Sequence, residues 1–110
     1  MRKTTNFDEN DRELAKLARL LSHPARIAIL RFLASTDCCI SGDISNEIPL
    51  SRTTVSQHLN ELKGAGLITG EIEGVRVNYC LDSQQIEKAS ASFDGLFEIL
   101  KNNKPKQCNP

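Results

Sequence analysis

The feature that most constrains the fold is a change of hydrophobic period partway along the chain. Up to Gly64-Ala65-Gly66 the apolar residues recur at helical spacing, and from Ile68 onward they alternate. Leu14, Leu17, Ala18 and Leu21 stand at i, i+3, i+4 and i+7, which predicts one apolar stripe on a first helix beginning near Asp8. Pro24 fits the first position of a second helix, where its missing N–H costs nothing, with Ser22 or His23 as cap. From Ala25 to Ala34 only Arg26 and Arg31 are not apolar, so this helix, running to about Ser35, is expected to be central. Thr36-Asp37 breaks it, and Cys38-Cys39-Ile40 has room for a turn or a stub of strand. Ser41 is expected to cap a short helix over 42–48, ended by Pro49. Ser51 caps the next, in which Val55, Leu59 and Leu62 form the apolar stripe and which Gly64-Ala65-Gly66 is expected to stop.

After the change of period, Ile68, Gly70 and Ile72 alternate with polar residues, Glu73-Gly74 supplies a two-residue turn, and Val75, Val77, Tyr79 and Leu81 alternate again. This predicts a β-hairpin. Ser83 is expected to cap a last helix with Phe93, Leu96, Phe97 and Leu100 on one stripe. The polar stretches 1–7 and 102–110 are expected to be flexible ends around one domain, 8–101, since 110 residues suffice for a single core. Three helices, the last two short and joined by Pro49-Leu50, followed by a hairpin, define a mainly α chain with the element order of a winged helix-turn-helix.

That order assigns roles. With Val55, Leu59 and Leu62 turned inward, the helix from Ser51 to Lys63 keeps Arg52, Thr53, Thr54, Ser56, Gln57, His58 and Asn60 on its surface. Hydroxyls, an amide and an imidazole suit groove edges, and free N–H groups beside hydroxyls at a helix start suit a phosphate. Arg76, beside the hairpin tip, would reach the backbone. His58 has two readings, packing at the edge of Leu59 and Leu62 or touching the duplex; its neighbour Gln57 favours the duplex. His23 is assigned to the start of its helix rather than to a metal. Against nucleic acid stands the charge balance, 14 Lys+Arg against 14 Asp+Glu. Yet over 51–80, Arg52, Lys63 and Arg76 are offset by Glu61, Glu71 and Glu73, so binding there would rest on placed contacts rather than on bulk charge.

Three stretches resemble the ArsR/SmtB family of dimeric winged-helix repressors: Leu20-Leu21-Ser22-His23-Pro24-Ala25-Arg26-Ile27-Ala28-Ile29-Leu30, Leu50-Ser51-Arg52-Thr53-Thr54-Val55-Ser56-Gln57-His58-Leu59, and Leu62-Lys63-Gly64-Ala65-Gly66-Leu67-Ile68. The likeness spans roughly residues 13 to 82. It implies that Thr54, Ser56, Gln57 and His58 contact operator DNA, with Ser51, Arg52, Thr53 and Lys63 on the same helix and Arg76 as the basic residue of the wing. It also implies a homodimer through the first and last helices, whose stripes of Leu14, Leu17 and Leu21 and of Phe93, Phe97 and Leu100 exceed what one small core covers. DNA binding itself would need no cofactor.

Repressors of this family release DNA when a signal reaches a sensor site. The last helix offers Glu87, Asp94 and Glu98 but no histidine, which disfavours a zinc or nickel site there. In Cys39-Ile40-Ser41-Gly42-Asp43 the resemblance to an arsenic-type Cys-x-Cys is incomplete: Ser41 stands where a second thiolate would be, and a hydroxyl is a poor ligand for As(III). Cys38, Cys39, Cys80 and Cys108 could together bind As(III), methylarsenite or another soft metal ion, with Cys80 on the hairpin face opposite Val77 and Tyr79. A thiol redox or persulfide sensor, cysteines that only fill space, and a winged-helix protein-interaction module remain alternatives. No acid, base or nucleophile constellation marks an enzyme. No apolar run approaches the roughly 18 residues of a membrane span, and the polar start predicts a cytoplasmic protein, in which the cysteines are expected as thiols or ligands.

Overall fold

The computed structural model describes residues 6–36, 40–41, 44, 47–73 and 76–103. Among these, four helices and three strands follow one another as α1 (Glu9–Leu20), α2 (Pro24–Ala34), β1 (Ile40–Ser41), α3 (Arg52–Gly64), β2 (Ile68–Glu73), β3 (Arg76–Leu81) and α4 (Ser83–Lys101). Local chemistry explains most of the boundaries. Pro24 opens α2 with His23 as an extended N-cap. Ser51 caps α3, its Oγ accepting the Thr54 N–H at 3.2 Å. At the other end of α3 the Gly66 and Leu67 N–H groups donate to the carbonyls of Lys63 and Leu62 at 3.0 and 3.1 Å. Gly66 takes φ +89°, a left-handed conformation that glycine adopts without a Cβ penalty. The expected stop signal therefore acts as a Schellman cap.

Two boundaries differ from expectation. Asp82, not Ser83, caps α4, its carboxylate accepting the Gln85 N–H at 3.2 Å. A carboxylate accepts a backbone N–H with its charge behind it and also complements the positive end of the helix. In the hairpin, Glu73 pairs with Arg76, so Glu73 is the last residue of β2 rather than part of the turn, and β3 begins at Arg76 rather than at residue 75. The short helix expected over 42–48 falls largely outside the described residues, although Ile44 and Ile48 are both buried.

The sheet is antiparallel in the order β1-β3-β2. Ile40 faces Tyr79 and Ser41 faces Asn78, so the segment after α2 is a stub of strand paired with the far strand of the hairpin. Pairing of Ile68 with Leu81, Gly70 with Tyr79 and Ile72 with Val77 puts the alternating residues on one face, and Thr69 with Cys80 on the other. The core joins Leu20, Ile29, Leu33, Ile44, Ile48, Val55, Leu59, Leu62, Leu67 and Ile68. Each stripe residue of α3 is thus inside, which fixes the direction of its polar face. The centrality of α2 is partial, since Ile29 and Leu33 are buried but Ile27 is exposed. α4 buries no residue completely; it packs on α1 and leaves Phe97, Ile99 and Leu100 more than half exposed. No helix among the described residues is long and apolar enough to cross a membrane.

Candidate nucleic-acid interface and cysteine site

Burial of Val55, Leu59 and Leu62 at helical spacing leaves a continuous polar strip on α3, with Arg52, Thr53, Ser56, Gln57 and Asn60 exposed. Thr54 is half-buried, and the Ser51 hydroxyl donates to its Oγ1 at 3.0 Å, so two of the expected contact residues also hold the helix start together. Lys63 is exposed, but its side chain lies along β2: a Cβ added at Gly70 would meet Lys63 Cδ and Nζ at 3.4 Å and the Tyr79 ring at 3.3 Å. Gly70 therefore makes room for the lysine stem at the junction of helix and hairpin. Arg76 begins β3, on the strand pair that flanks α3.

His58 is not on the open strip. It is half-buried, and its Nδ1 accepts the Nε–H of Arg26 at 3.0 Å. A second Arg26 nitrogen, Nη1, donates to the Leu20 carbonyl at 3.2 Å, so one guanidinium joins the end of α1, the start of α2 and the middle of α3. The His23 ring stands 5.5 Å from that of His58, tilted by 46°. Burial, then the Arg26 charge, then His23 hold the His58 imidazole below the ordinary histidine value of 6.5, while Glu61 opposes them. His58 therefore packs at the edge of the core, as one of its two sequence readings has it, and keeps some exposure on α3. Arg26 was not singled out from the sequence. A charged residue inside an otherwise apolar helix was the available signal, because a half-buried guanidinium needs acceptors.

Of the four cysteines, only Cys80 lies within the described residues. It is half-buried and disulfide-bonded. For Cys80 this differs from the expected free thiol: while the disulfide stands, its sulfur has no thiolate to give a metal, and only the reduced form could be a ligand. Cys38, Cys39 and Cys108 lie outside the described residues, and among those described no group of three His, Cys, Asp or Glu could hold a metal ion.

A family of helix-turn-helix domains matches residues 21–71, the stretch from the end of α1 through α3 into β2. The transcriptional regulator CmtR of Mycobacterium bovis is 37% identical over 92 residues, covering 84% of this chain and 77% of its own length. The solved structure of the cadmium sensor CmtR from Mycobacterium tuberculosis is 34% identical, with a TM-score of 0.53 over 88% of this chain and 97% of that one. An ArsR-like regulator from Rhodococcus superimposes with a TM-score of 0.69 at 23% identity, covering 86% of this chain and 88% of that one, which supports the fold. These relatives are transcriptional regulators and not enzymes. The chain belongs to the ArsR/SmtB family of winged helix-turn-helix transcriptional regulators.

Proposed function

We propose that this chain is a cytoplasmic, homodimeric repressor whose 8–101 unit binds operator DNA through α3 and the wing and lets go when a thiophilic ligand reaches its cysteines. The observation that carries the DNA reading is the polar strip of α3, Arg52, Thr53, Ser56, Gln57 and Asn60, exposed while the same helix anchors the core through Val55, Leu59 and Leu62. Ser51, Thr54, His58, Lys63 and Arg76 complete the contact set. Dimerisation is supported by α1 and α4, which leave between them an apolar groove of about 510 Å³ lined by Leu14, Ala15, Ala18, Phe93, Leu96 and Phe97. In a dimer, two reading helices would address half-sites about one helical turn apart.

In the reduced protein, with the Cys80 disulfide opened, the ligand is a trivalent arsenical or soft metal ion held by Cys39 and Cys80 with Cys38 or Cys108. Its support is the pairing of β1 with β3, in which Ile40 faces Tyr79, the residue before Cys80. The disulfide at Cys80 favours a second reading, in which the signal is an oxidant that takes two electrons and two protons from a thiol pair. One gel-shift series separates the readings. The duplex upstream of the protein's own gene is titrated with wild-type, Gln57→Ala/His58→Ala and Cys80→Ser proteins, reduced and then treated with As(III), methylarsenite, Cd(II) or an oxidant. Loss of the shift in the double variant with an intact dimer supports the DNA reading, and retained binding contradicts it. Release by arsenical or metal under reducing conditions, abolished by Cys80→Ser, supports the ligand reading; release by oxidant alone supports the redox one.

A further inference from the structure

A guanidinium can only donate, so the Arg26 Nε–H at 3.0 Å makes His58 Nδ1 an acceptor that carries no proton. The neutral ring then carries its proton on Nε2, and that N–H has no hydrogen-bond partner among the described residues. Arg26 is itself aimed by its second bond, to the Leu20 carbonyl. The result is a chain of contacts from the end of α1 through α2 to the middle of the reading helix.

We propose that Arg26 is a positioning residue for operator binding: it locks His58 as the neutral Nε2–H tautomer, so that position 58 offers the duplex one fixed N–H donor rather than an imidazolium. The inference rests on the reading of α3 as the duplex-binding face. A lone N–H donor selects an acceptor atom, either on a base edge in the major groove or on a phosphate. The titratable and charged groups that act on His58 are Arg26 and His23 from the α2 side and Glu61 one turn along α3. β2, the other element packed on α3, meets it with the Lys63 side chain lying over Gly70. A free imidazole brought up to phosphates takes up a proton, and binding tightens as the pH falls. His58, with Nδ1 occupied and a guanidinium beside it, does not.

The test compares wild type, Arg26→Met, Arg26→Lys and His58→Gln by imidazole 1H–15N spectra and by gel-shift at constant salt, on the duplex upstream of the protein's own gene and on an unrelated duplex. In wild type the spectrum is expected to show the Nε2–H tautomer, and operator affinity to stay level from about pH 8 to about pH 6.5. In Arg26→Met the ring is expected to show mixed tautomers and to titrate higher. Its operator affinity is expected to fall roughly 3- to 10-fold at the upper pH, the worth of one hydrogen bond, and to recover in part as the pH is lowered. Arg26→Lys, which keeps a cationic donor, restores part of the level profile. His58→Gln keeps an amide donor near the place of Nε2–H, so adding Arg26→Met to it should cost little more. A loss confined to the operator marks a base edge as the acceptor, and an equal loss on both duplexes marks a phosphate. An unchanged His58 spectrum in Arg26→Met, or a pH profile parallel to wild type, overturns the proposal. If wild type shifts neither duplex, the DNA reading fails, while the spectrum still decides the tautomer.

Discussion

At position 58 a single ring is held from inside the fold while standing on the helix that faces out, and that makes folding stability itself depend on pH. Burial, Arg26 and His23 hold the folded imidazole below the ordinary 6.5, so as the pH falls the unfolded chain takes up this proton before the folded one does. The stability contributed by His58 is therefore complete above about pH 6.5 and is lost as the pH drops through that value toward the folded one. Urea midpoints taken near neutrality and near pH 5.5 should fall further in wild type than in His58→Gln, with the slope of the transition unchanged. Equal falls in the two proteins would place the pH dependence in other groups. At this scale sequence reading is weakest. Arg26 looked like one of two charges on an apolar helix because its acceptors, the Leu20 carbonyl and His58, lie 6 and 32 residues away. Cys80 was correctly placed away from the face of Tyr79, but whether its sulfur is a thiol or half of a disulfide depends on what stands beside it in space.

Among the elements, α3 carries the plainest local instructions, and they can be tested one by one. Its Schellman end needs φ +89° at Gly66, where a Cβ would meet only the Gln85 side chain at an ordinary 3.7 Å. The cost of Gly66→Ala is thus a backbone cost, about 1 to 2 kcal/mol for a left-handed alanine. Thermal unfolding should show it as a fall of about 4 to 8 °C per kcal/mol in Tm, and no change in Tm would contradict the cap. Asp82→Ala should cost about 1 kcal/mol by removing the acceptor for the Gln85 N–H, whereas Ser83→Ala should cost much less. Boundaries of this kind were legible because they are written in adjacent residues: Pro24 at a helix start, Ser51 three residues before the N–H it caps, glycine where φ turns positive. The strand β1 was legible only as one of two options, since so short a segment fits a turn as well as a stub of strand, and its partner Tyr79 lies far along the chain. The cap of α4 was misplaced by one residue because Asp82 and Ser83 carry the same signal, and only the bond to Gln85 chooses between them.

For the molecule as a whole, the balance of 14 basic and 14 acidic residues has to be reconciled with the proposal that α3 faces a polyanion. The structure sharpens the expectation of placed contacts. Within 51–80 the cations are Arg52, Lys63 and Arg76, and Lys63 is laid over Gly70 against the hairpin. Each subunit then has two or three cations from this segment for phosphates, and a dimer about four to six, which gives a logarithmic salt slope of roughly −4 to −5 for duplex binding. Neutral donors such as Ser56, Gln57 and the His58 Nε2–H add affinity without releasing counterions, so they raise the intercept and leave the slope alone. Gln57→Ala should accordingly weaken operator binding by a similar factor at every salt concentration, while Arg52→Ala should lower the slope by about 1 per subunit. A wild-type slope near −10 would mean that cations outside this segment, such as those of α1, also lie on the backbone. Recovery of the full slope in Arg52→Ala would remove that residue from the interface.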